Sequence, residues 1–402
     1  MPKRCDGERG AAEIGEQGTG VKDVGGQWEP AFAPLAERLA SATQAGDELG
    51  CSFAVRQAGT LRFVGWAGWQ DREKSVPWQE DTLCCCFSVT KALASLVVLN
   101  VVAEGHVGLE DPIARYWHDF AQAGKANITL RQVLSHQSGV VGCRTSLAVD
   151  DYLRSVGMAT ALAAEPPWWP PGTQHGYHAR SFGLILDRLL QEATGQALDR
   201  WLARFVEHAY GVHLGLNAEA DLARCTPLLP PRATAEELKA LPEDTWEMLR
   251  AMADPRTPTG AAFLNPRLPR TYMNQRAFRT AMLPSSNAHA TTAELVTTFA
   301  ELYARLPSSL QRDAATVHAY GQDQVLLTQT AFGLGLMLKQ PDQPAPLGPG
   351  TIGHVGSGGA VLFHQPEAEL TVAFLGNRMR PGVMHWGPTA EALMAETMTL
   401  IR

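Results

Sequence analysis

A hydroxyl and an amine stand three residues apart in the segment Ser88-Val89-Thr90-Lys91. Because residues three apart share one face of a helix, Ser88 could attack a carbonyl carbon while a neighbouring base removes its proton. The stretch from Ala92 to Ala103 is almost entirely apolar, which predicts a buried helix with Ser88 at its N-terminus. Unpaired N–H groups and the helix dipole favour a developing oxyanion at that end, so the pattern indicates a nucleophilic serine.

Two later segments could supply partners for Ser88. Tyr177-His178-Ala179 follows a proline-rich stretch and precedes an amphipathic pattern that predicts a helix over Leu184–Thr194. His354-Val355-Gly356 stands in a glycine-rich stretch that predicts a strand followed by a hairpin. A phenol and an imidazole are both able to exchange protons or hydrogen bonds with a reacting serine.

With these three motifs in this order, the chain resembles the serine β-lactamase and penicillin-binding-protein superfamily, and within it the β-lactamase-like esterases called family VIII carboxylesterases. Ser88-Val89-Thr90-Lys91 matches the first motif of that superfamily. Tyr177-His178-Ala179 stands where class C enzymes have Tyr-x-Asn, and His354-Val355-Gly356 stands where β-lactamases have Lys-Thr-Gly. Further stretches similar to the esterase branch are Gly108–Pro112, Leu130–Gly139 and Pro284–Thr291, and the resemblance extends from about Trp28 to the end of the chain.

The resemblance implies a serine hydrolase that works through a covalent acyl-enzyme formed on Ser88. The base that activates Ser88 is either Lys91 or Tyr177, and the sequence does not choose between them. The resemblance also implies an oxyanion hole made by the backbone N–H groups of Ser88 and Ser357. Gly356, which has no side chain, would allow the backbone to approach a ligand closely.

Departures from the β-lactamase motifs indicate the kind of substrate. His354 replaces a permanently charged lysine, and an imidazole is mostly neutral at pH 7. Val355 lacks the threonine hydroxyl, and Ala179 lacks the asparagine amide. Groups that recognise β-lactams or peptidoglycan stems are therefore missing, which favours a carboxylesterase acting on small or medium-chain esters. The alternatives are a weak β-lactamase or D-Ala peptidase-like amidase, an acyltransferase, and a non-catalytic ligand-binding homologue.

Three further side chains could line the site. His354 is expected to face the substrate together with the backbone at Gly356. Trp168 and Trp169 either form a wall of the substrate pocket or fill the core. His175 and His178 flank Tyr177, but no carboxylate or cysteine at suitable spacing completes a metal site. We predict neither a metal nor another cofactor.

Composition excludes several other classes of function. The net charge of −7 argues against nucleic acid or an anionic membrane as a partner. The 7 cysteines, an odd number without a C-x-x-C spacing, predict no disulfide framework. The first residues lack the pattern of a signal peptide, and no apolar run approaches the length of a membrane span, so we expect a cytoplasmic protein. The sequence gives no indication of the oligomeric state.

Strand patterns near both chain ends, with helical patterns between them, predict an α/β (α+β) fold. The resemblance gives it as the β-lactamase-like fold, a mainly antiparallel sheet flanked by helices with an inserted, mostly helical subdomain. We expect a disordered leader over 1–27, an α/β part over about 28–105 and 290–402, and a helical part over about 106–289. The predicted strands are Ser52–Arg56 and Leu61–Trp66, joined as a hairpin, then Phe332–Leu338, Thr351–His354, Ala360–His364 and Leu370–Leu375.

Overall fold

A large antiparallel sheet forms the centre of the molecule. The computed structural model describes residues 23–206, 212–230, 236, 239, 243–269, 271–338, 347–380 and 386–401. The strands are β1 Val24–Trp28, β2 Gly50–Gln57, β3 Thr60–Gly68, β4 Cys84–Cys85, β5 Val212–Leu214, β6 Ala288–Ala290, β7 Ala319–Gln322, β8 Gln329–Phe332, β9 Met337–Leu338, β10 Ile352–Val355, β11 Val361–Gln365 and β12 Leu370–Gly376. Nine of them pair in the order β1-β3-β2-β12-β11-β10-β9-β8-β7, and β4-β6-β5 form a small second sheet.

The order of the strands joins the two ends of the chain. β2 and β3 form the predicted hairpin, with Gln57 opposite Thr60. Its turn residues Ala58 and Gly59 have φ angles of 47° and 83°, the left-handed conformation that tight hairpin turns require. β12 then pairs with β2, so that Val372 lies opposite Val55. The sheet from both chain ends that the sequence predicts is therefore confirmed.

Helices cover both faces of the sheet. They span Ala33–Ala45, Val89–Ala103, Leu130–Leu134, Val149–Leu153, Val156–Ala164, Ser181–Thr194, Leu198–Phe205, Glu219–Arg224, Glu243–Ala253, Pro258–Leu264, Arg276–Thr280, Thr292–Ala304, Ser308–Ala314 and Pro388–Leu400. Successive side chains of β12 point to opposite faces of the sheet. Val372 and Phe374 pack in the cluster that contains the first and last helices, whereas Ala373 packs in the cluster that contains Val89–Ala103 and Thr292–Ala304.

The helix Val89–Ala103 is the centre of the larger hydrophobic cluster. Every residue from Val89 to Val101 is buried, as its apolar sequence predicts. A helix that is apolar on all sides has no face for water, so it must be surrounded by other elements. Here the helices Ser181–Thr194, Leu198–Phe205 and Thr292–Ala304 supply buried side chains to the same cluster. This packing fixes the position of the N-terminus of the central helix.

Two boundaries differ from the prediction. The leader was expected to reach residue 27, but Val24–Gln27 already pair with β3, while residues 1–22 lie outside the described residues. Two glycines in this segment interrupt the pattern of residues that is typical of a strand, so the strand could not be recognised from the sequence. An edge strand tolerates such glycines. Phe332–Leu338 was expected to be one strand, but it is divided between β8 and β9. A Cβ at Gly335 would lie 1.9 Å from Ser95 Oγ, so this turn is set by contact with the central helix.

The predicted helical part, about 106–289, also contributes β5 and most of β6 to the small sheet. That sheet matters for the site because β4 leads directly to Ser88, with Cys84 opposite Ala290 of β6. Among the described residues, the helices are all too short or too polar to cross a bilayer.

Candidate active site

Ser88 lies at the N-terminus of the central helix, as predicted. It occupies the N-cap position, but its hydroxyl makes no capping hydrogen bond, although serine at this position normally accepts one from the helix backbone. The preceding residue, Phe87, has a φ angle of 43°, which is unfavourable for an aromatic residue. Hydrogen bonds on both sides hold this turn, since Cys86 N donates to Ala288 O (2.7 Å) and Ala288 N donates to Thr90 Oγ1 (2.9 Å). The surrounding structure thus holds the turn without using the Ser88 hydroxyl as a helix cap.

Lys91 is fully buried next to Ser88. Its Nζ lies 3.3 Å from Ser88 Oγ, and it donates to the carbonyl oxygens of Ala179 (2.8 Å) and Ser285 (2.9 Å). Burial lowers the pKa of the Lys91 ammonium well below its ordinary value of 10.5, because removal from water disfavours the charged form. A neutral amine has two N–H groups and one lone pair. In the uncharged form, with both N–H groups donated to the two carbonyls, the lone pair would face Ser88 Oγ.

Tyr177 is also fully buried, and Lys91 Nζ lies 4.7 Å from the centroid of its ring. Its hydroxyl is buried without a hydrogen-bond partner among the described residues. Burial raises the pKa of the Tyr177 phenol, and the nearby Ser88 hydroxyl opposes part of that rise. The phenol is therefore protonated at neutral pH. The Tyr177 hydroxyl therefore lies near Ser88 and has hydrogen-bonding capacity left for a reacting group.

His354 contacts the Tyr177 ring, with 5.8 Å between ring centroids. Its side chain is fully buried, as are those of Lys91 and Tyr177, and a role in facing the substrate stays a prediction. Its Nδ1 lies 2.6 Å from Val355 O and so carries the proton, which leaves Nε2 as an acceptor without a partner in the described chain. Burial, followed by the nearby Lys91, lowers the pKa of His354 to about 3. This imidazole is neutral at pH 7 and supplies no charge for an anionic substrate.

Two N–H groups are available for an oxyanion. Within the described part of the chain, neither Ser88 N–H nor Ser357 N–H donates a hydrogen bond. Gly356 allows the segments that carry them to approach closely, since a Cβ there would lie 2.4 Å from Cys86 O and 3.3 Å from Phe87 Cβ. The glycine that we predicted to approach a ligand therefore packs against the residues before Ser88. This contact places the end of β10 beside the start of the central helix.

The two tryptophans have different surroundings. Trp169 is a buried core residue. Its ring packs against Gly176, next to Tyr177, and a Cβ at Gly176 would lie 2.5 Å from the ring. Trp168 is half-buried and donates from Nε1 to Gly142 O (2.9 Å). Arg144 Cζ lies 3.8 Å from the centroid of the Trp168 ring. Of the two, Trp168 is the one with surface left for a substrate.

Asp323 supports the Tyr177 segment through hydrogen bonds, a role that the sequence did not indicate. Its buried carboxylate accepts hydrogen bonds from Tyr177 N (3.1 Å), Val325 N (2.8 Å) and Leu326 N (2.8 Å). His136 is a second buried support, and its Nδ1 accepts a hydrogen bond from His178 N (3.2 Å). His136 could have been suspected from its place in Leu130–Gly139, which resembles the esterase branch, but no pattern around Asp323 marks it.

The site has the arrangement expected of an active-site-serine protein of the Ser-x-x-Lys class: a serine at a helix N-terminus, a buried amine one turn later and a buried phenol close by. The family model described as Beta-lactamase matches residues 35–393, and the chain belongs to that family.

Several proteins are similar over most of their length. The Esterase/beta-lactamase LipL of Mycobacterium tuberculosis is 28% identical over 375 residues, which cover 89% of this chain and 83% of that protein. The crystal structure of a family VIII carboxylesterase has a TM-score of 0.82 and 25% identity, and the match covers 94% of this chain and 100% of that one. A penicillin-binding-protein homologue from Caulobacter crescentus gives the same TM-score, identity and coverage. The predicted β-lactamase-like fold is therefore confirmed.

Proposed function

We propose that this protein is a serine hydrolase that cleaves carboxylic esters through an acyl-enzyme on Ser88. The observation that carries the proposal is the contact between Lys91 Nζ and Ser88 Oγ at 3.3 Å, made by an amine whose pKa is held low by burial. The esterases among its relatives support the same reaction class. Esters are the substrates, and the protein is expected in the cytoplasm.

Lys91 is the base in this proposal, and Tyr177 is the acid. The neutral amine accepts the proton of Ser88 as Oγ forms a bond to the ester carbonyl carbon. The N–H groups of Ser88 and Ser357 stabilise the negative charge on the carbonyl oxygen. When the bond to the alcohol oxygen breaks, Tyr177 gives its proton to that oxygen, and Lys91 returns the proton from Ser88 to the phenolate.

Water then takes the place of the alcohol. The Lys91 and Tyr177 pair removes a proton from the water as its oxygen attacks the acyl carbon, and one proton returns to Ser88 Oγ as the acyl group leaves. The phenol is poorly suited to act as a phenolate base in the resting enzyme, because burial raises its pKa. This difference between the two side chains favours Lys91 as the base that starts the reaction.

Esters are favoured over β-lactams because the site lacks a fixed cation at the third motif. His354 is buried and neutral, Val355 carries no hydroxyl, and Ala179 carries no amide. Each missing group would otherwise bind a polar or charged part of a lactam. A neutral ester requires none of them.

The test is a panel of p-nitrophenyl acetate, butyrate and octanoate together with the lactam nitrocefin. We expect kcat/KM for the butyrate to exceed that for nitrocefin by about 100-fold, the effect of losing a charge-assisted hydrogen bond to the lactam carboxylate. Ser88→Ala serves as the blank for each substrate. Faster turnover of nitrocefin than of every ester would refute the esterase assignment and support the β-lactamase alternative.

A further inference from the structure

The ring of Tyr177 is fully buried among other rings. Phe332 stacks on it with centroids 6.2 Å apart, and His136 and His354 lie 5.2 and 5.8 Å away. These neighbours are fully buried. Phe263 also contacts the ring, at 6.2 Å and an interplanar angle of 32°, but its side chain is only half-buried. Phe263 therefore has apolar surface that both adjoins Tyr177 and can be reached from outside.

Phe263 is one of several half-buried apolar residues that pack against the same hydrophobic cluster. Trp168 and Met252 are half-buried in the same way, and all three pack against the hydrophobic cluster that contains Tyr177. We call Trp168, Met252 and Phe263 the apolar wall. The Phe263 ring and the flexible Met252 thioether suit a ligand group that is apolar and bulky, because methionine adapts its shape to different contacts. The Trp168 ring also carries the Arg144 guanidinium, 3.8 Å from its centroid.

Contacts of the helix Pro258–Leu264 fix the position of Phe263 in the apolar wall. Thr259 Oγ1, in the helix that carries Phe263, donates to Val325 O (2.8 Å), next to the residues that support Tyr177. In the same helix, a Cβ at Gly260 would lie 2.0 Å from Asp254 O, so the backbone of the helix Pro258–Leu264 packs closely against the segment that follows the helix Glu243–Ala253. A wall that is already ordered loses little conformational entropy when a ligand binds.

We propose that the apolar wall binds the alcohol part of the ester and selects esters of bulky, apolar alcohols such as benzyl alcohol. The inference rests on the proposed function, because it uses Tyr177 as the proton donor to the leaving oxygen. A donor must lie within about 3 Å of the atom that it protonates. The first carbon atoms of the alcohol are therefore beside the Tyr177 hydroxyl, and a larger alcohol extends along the accessible surface next to that ring, which is Phe263 and its neighbours.

The test compares methyl butyrate, benzyl butyrate and methyl octanoate by titration of the acid released. The two butyrates share one acyl-enzyme, so the ratio of their kcat/KM values reports only steps up to its formation, where the alcohol is still present. We expect Phe263→Ala to lower the benzyl-to-methyl ratio about tenfold, the usual size of a lost apolar contact to a substrate ring. Met252→Ala should lower it less, and the octanoate-to-butyrate ratio should stay unchanged in both variants.

Met398→Ala is the matched control, because Met398 is a half-buried methionine in the C-terminal helix and packs in a separate cluster. It should leave every ratio at the wild-type value. If Phe263→Ala does not fold, the same ratios are measured for Phe263→Leu and Met252→Ala instead. A change in the octanoate-to-butyrate ratio with a constant benzyl-to-methyl ratio would assign the wall to the acyl chain and overturn the proposal. Failure of the wild type to cleave any ester would instead overturn the proposed function on which it rests.

Discussion

Replacing Ser88 by alanine is expected to lower kcat for p-nitrophenyl butyrate by a factor on the order of 10⁵–10⁶, as loss of a nucleophile does in other serine hydrolases. The stability of the protein should change little, because the Ser88 hydroxyl makes no capping hydrogen bond and its contacts are with the side chains of Lys91, whose Nζ lies 3.3 Å away, and Tyr177. Steady-state kinetics and thermal unfolding of the same preparation measure both quantities.

Ser95→Ala is the control for this variant. Ser95 is a buried serine of the same helix, and its hydroxyl donates to Lys91 O (2.7 Å). Its loss removes a hydrogen bond of about 1 kcal/mol but no reacting group, so kcat should stay within a few-fold of the wild type. A Ser88→Ala enzyme that keeps more than a hundredth of the wild-type kcat would show that another residue is the nucleophile.

The second large effect concerns Lys91 and Tyr177. We expect Lys91→Met and Tyr177→Phe each to lower kcat by a factor on the order of 10²–10⁴, the range for groups that transfer protons. The double variant should lose far less than the product of the two factors, because both side chains serve one proton-transfer route. Methionine fills the volume of the lysine, and phenylalanine removes a hydroxyl that has no protein partner in the described chain, so both variants should fold.

Lys125 and Tyr152 provide matched controls for these two substitutions. Lys125 is fully buried and donates to the backbone carbonyls of Gln122 (2.8 Å) and Ala163 (2.9 Å), much as Lys91 does at its own site. Tyr152 is a buried tyrosine whose hydroxyl lies 2.9 Å from Ser286 Oγ. Lys125→Met and Tyr152→Phe should reduce stability without a loss of kcat beyond a few-fold. Multiplicative losses in the Lys91→Met, Tyr177→Phe double variant would mean that the two side chains do not act together.

The sequence predicted those parts of the fold that depend on local patterns. The apolar run from Ala92 to Ala103 requires burial whatever surrounds it, so both the central helix and the position of Ser88 could be inferred. The hairpin of β2 and β3 followed from a short turn between two alternating strands. The order of the motifs then placed Tyr177 near Ser88, where the structure has it.

What the sequence could not give depends on contacts between distant segments. The strand pattern around His354 predicts which face of the sheet its side chain points to. It does not predict which other segments pack on that face, so the burial of His354 beside Tyr177 could not be inferred. The support from Asp323 lies 146 positions along the chain from Tyr177. Phe263 stands in a proline-interrupted segment whose helices have no long periodic pattern, so its contact with the Tyr177 ring appears only once the chain is folded.

Covalent labelling tests the central claim, that Ser88 is the nucleophile, most directly. Ser88 Oγ should displace p-nitrophenolate from a p-nitrophenyl alkylphosphonate and form a stable bond to phosphorus. Mass spectrometry of the intact wild-type protein should then show one added phosphonyl group, and the peptide that contains Ser88 should carry it. Ser88→Ala should take up no label under the same conditions. A single adduct on another residue, or equal labelling of Ser88→Ala, would contradict the account.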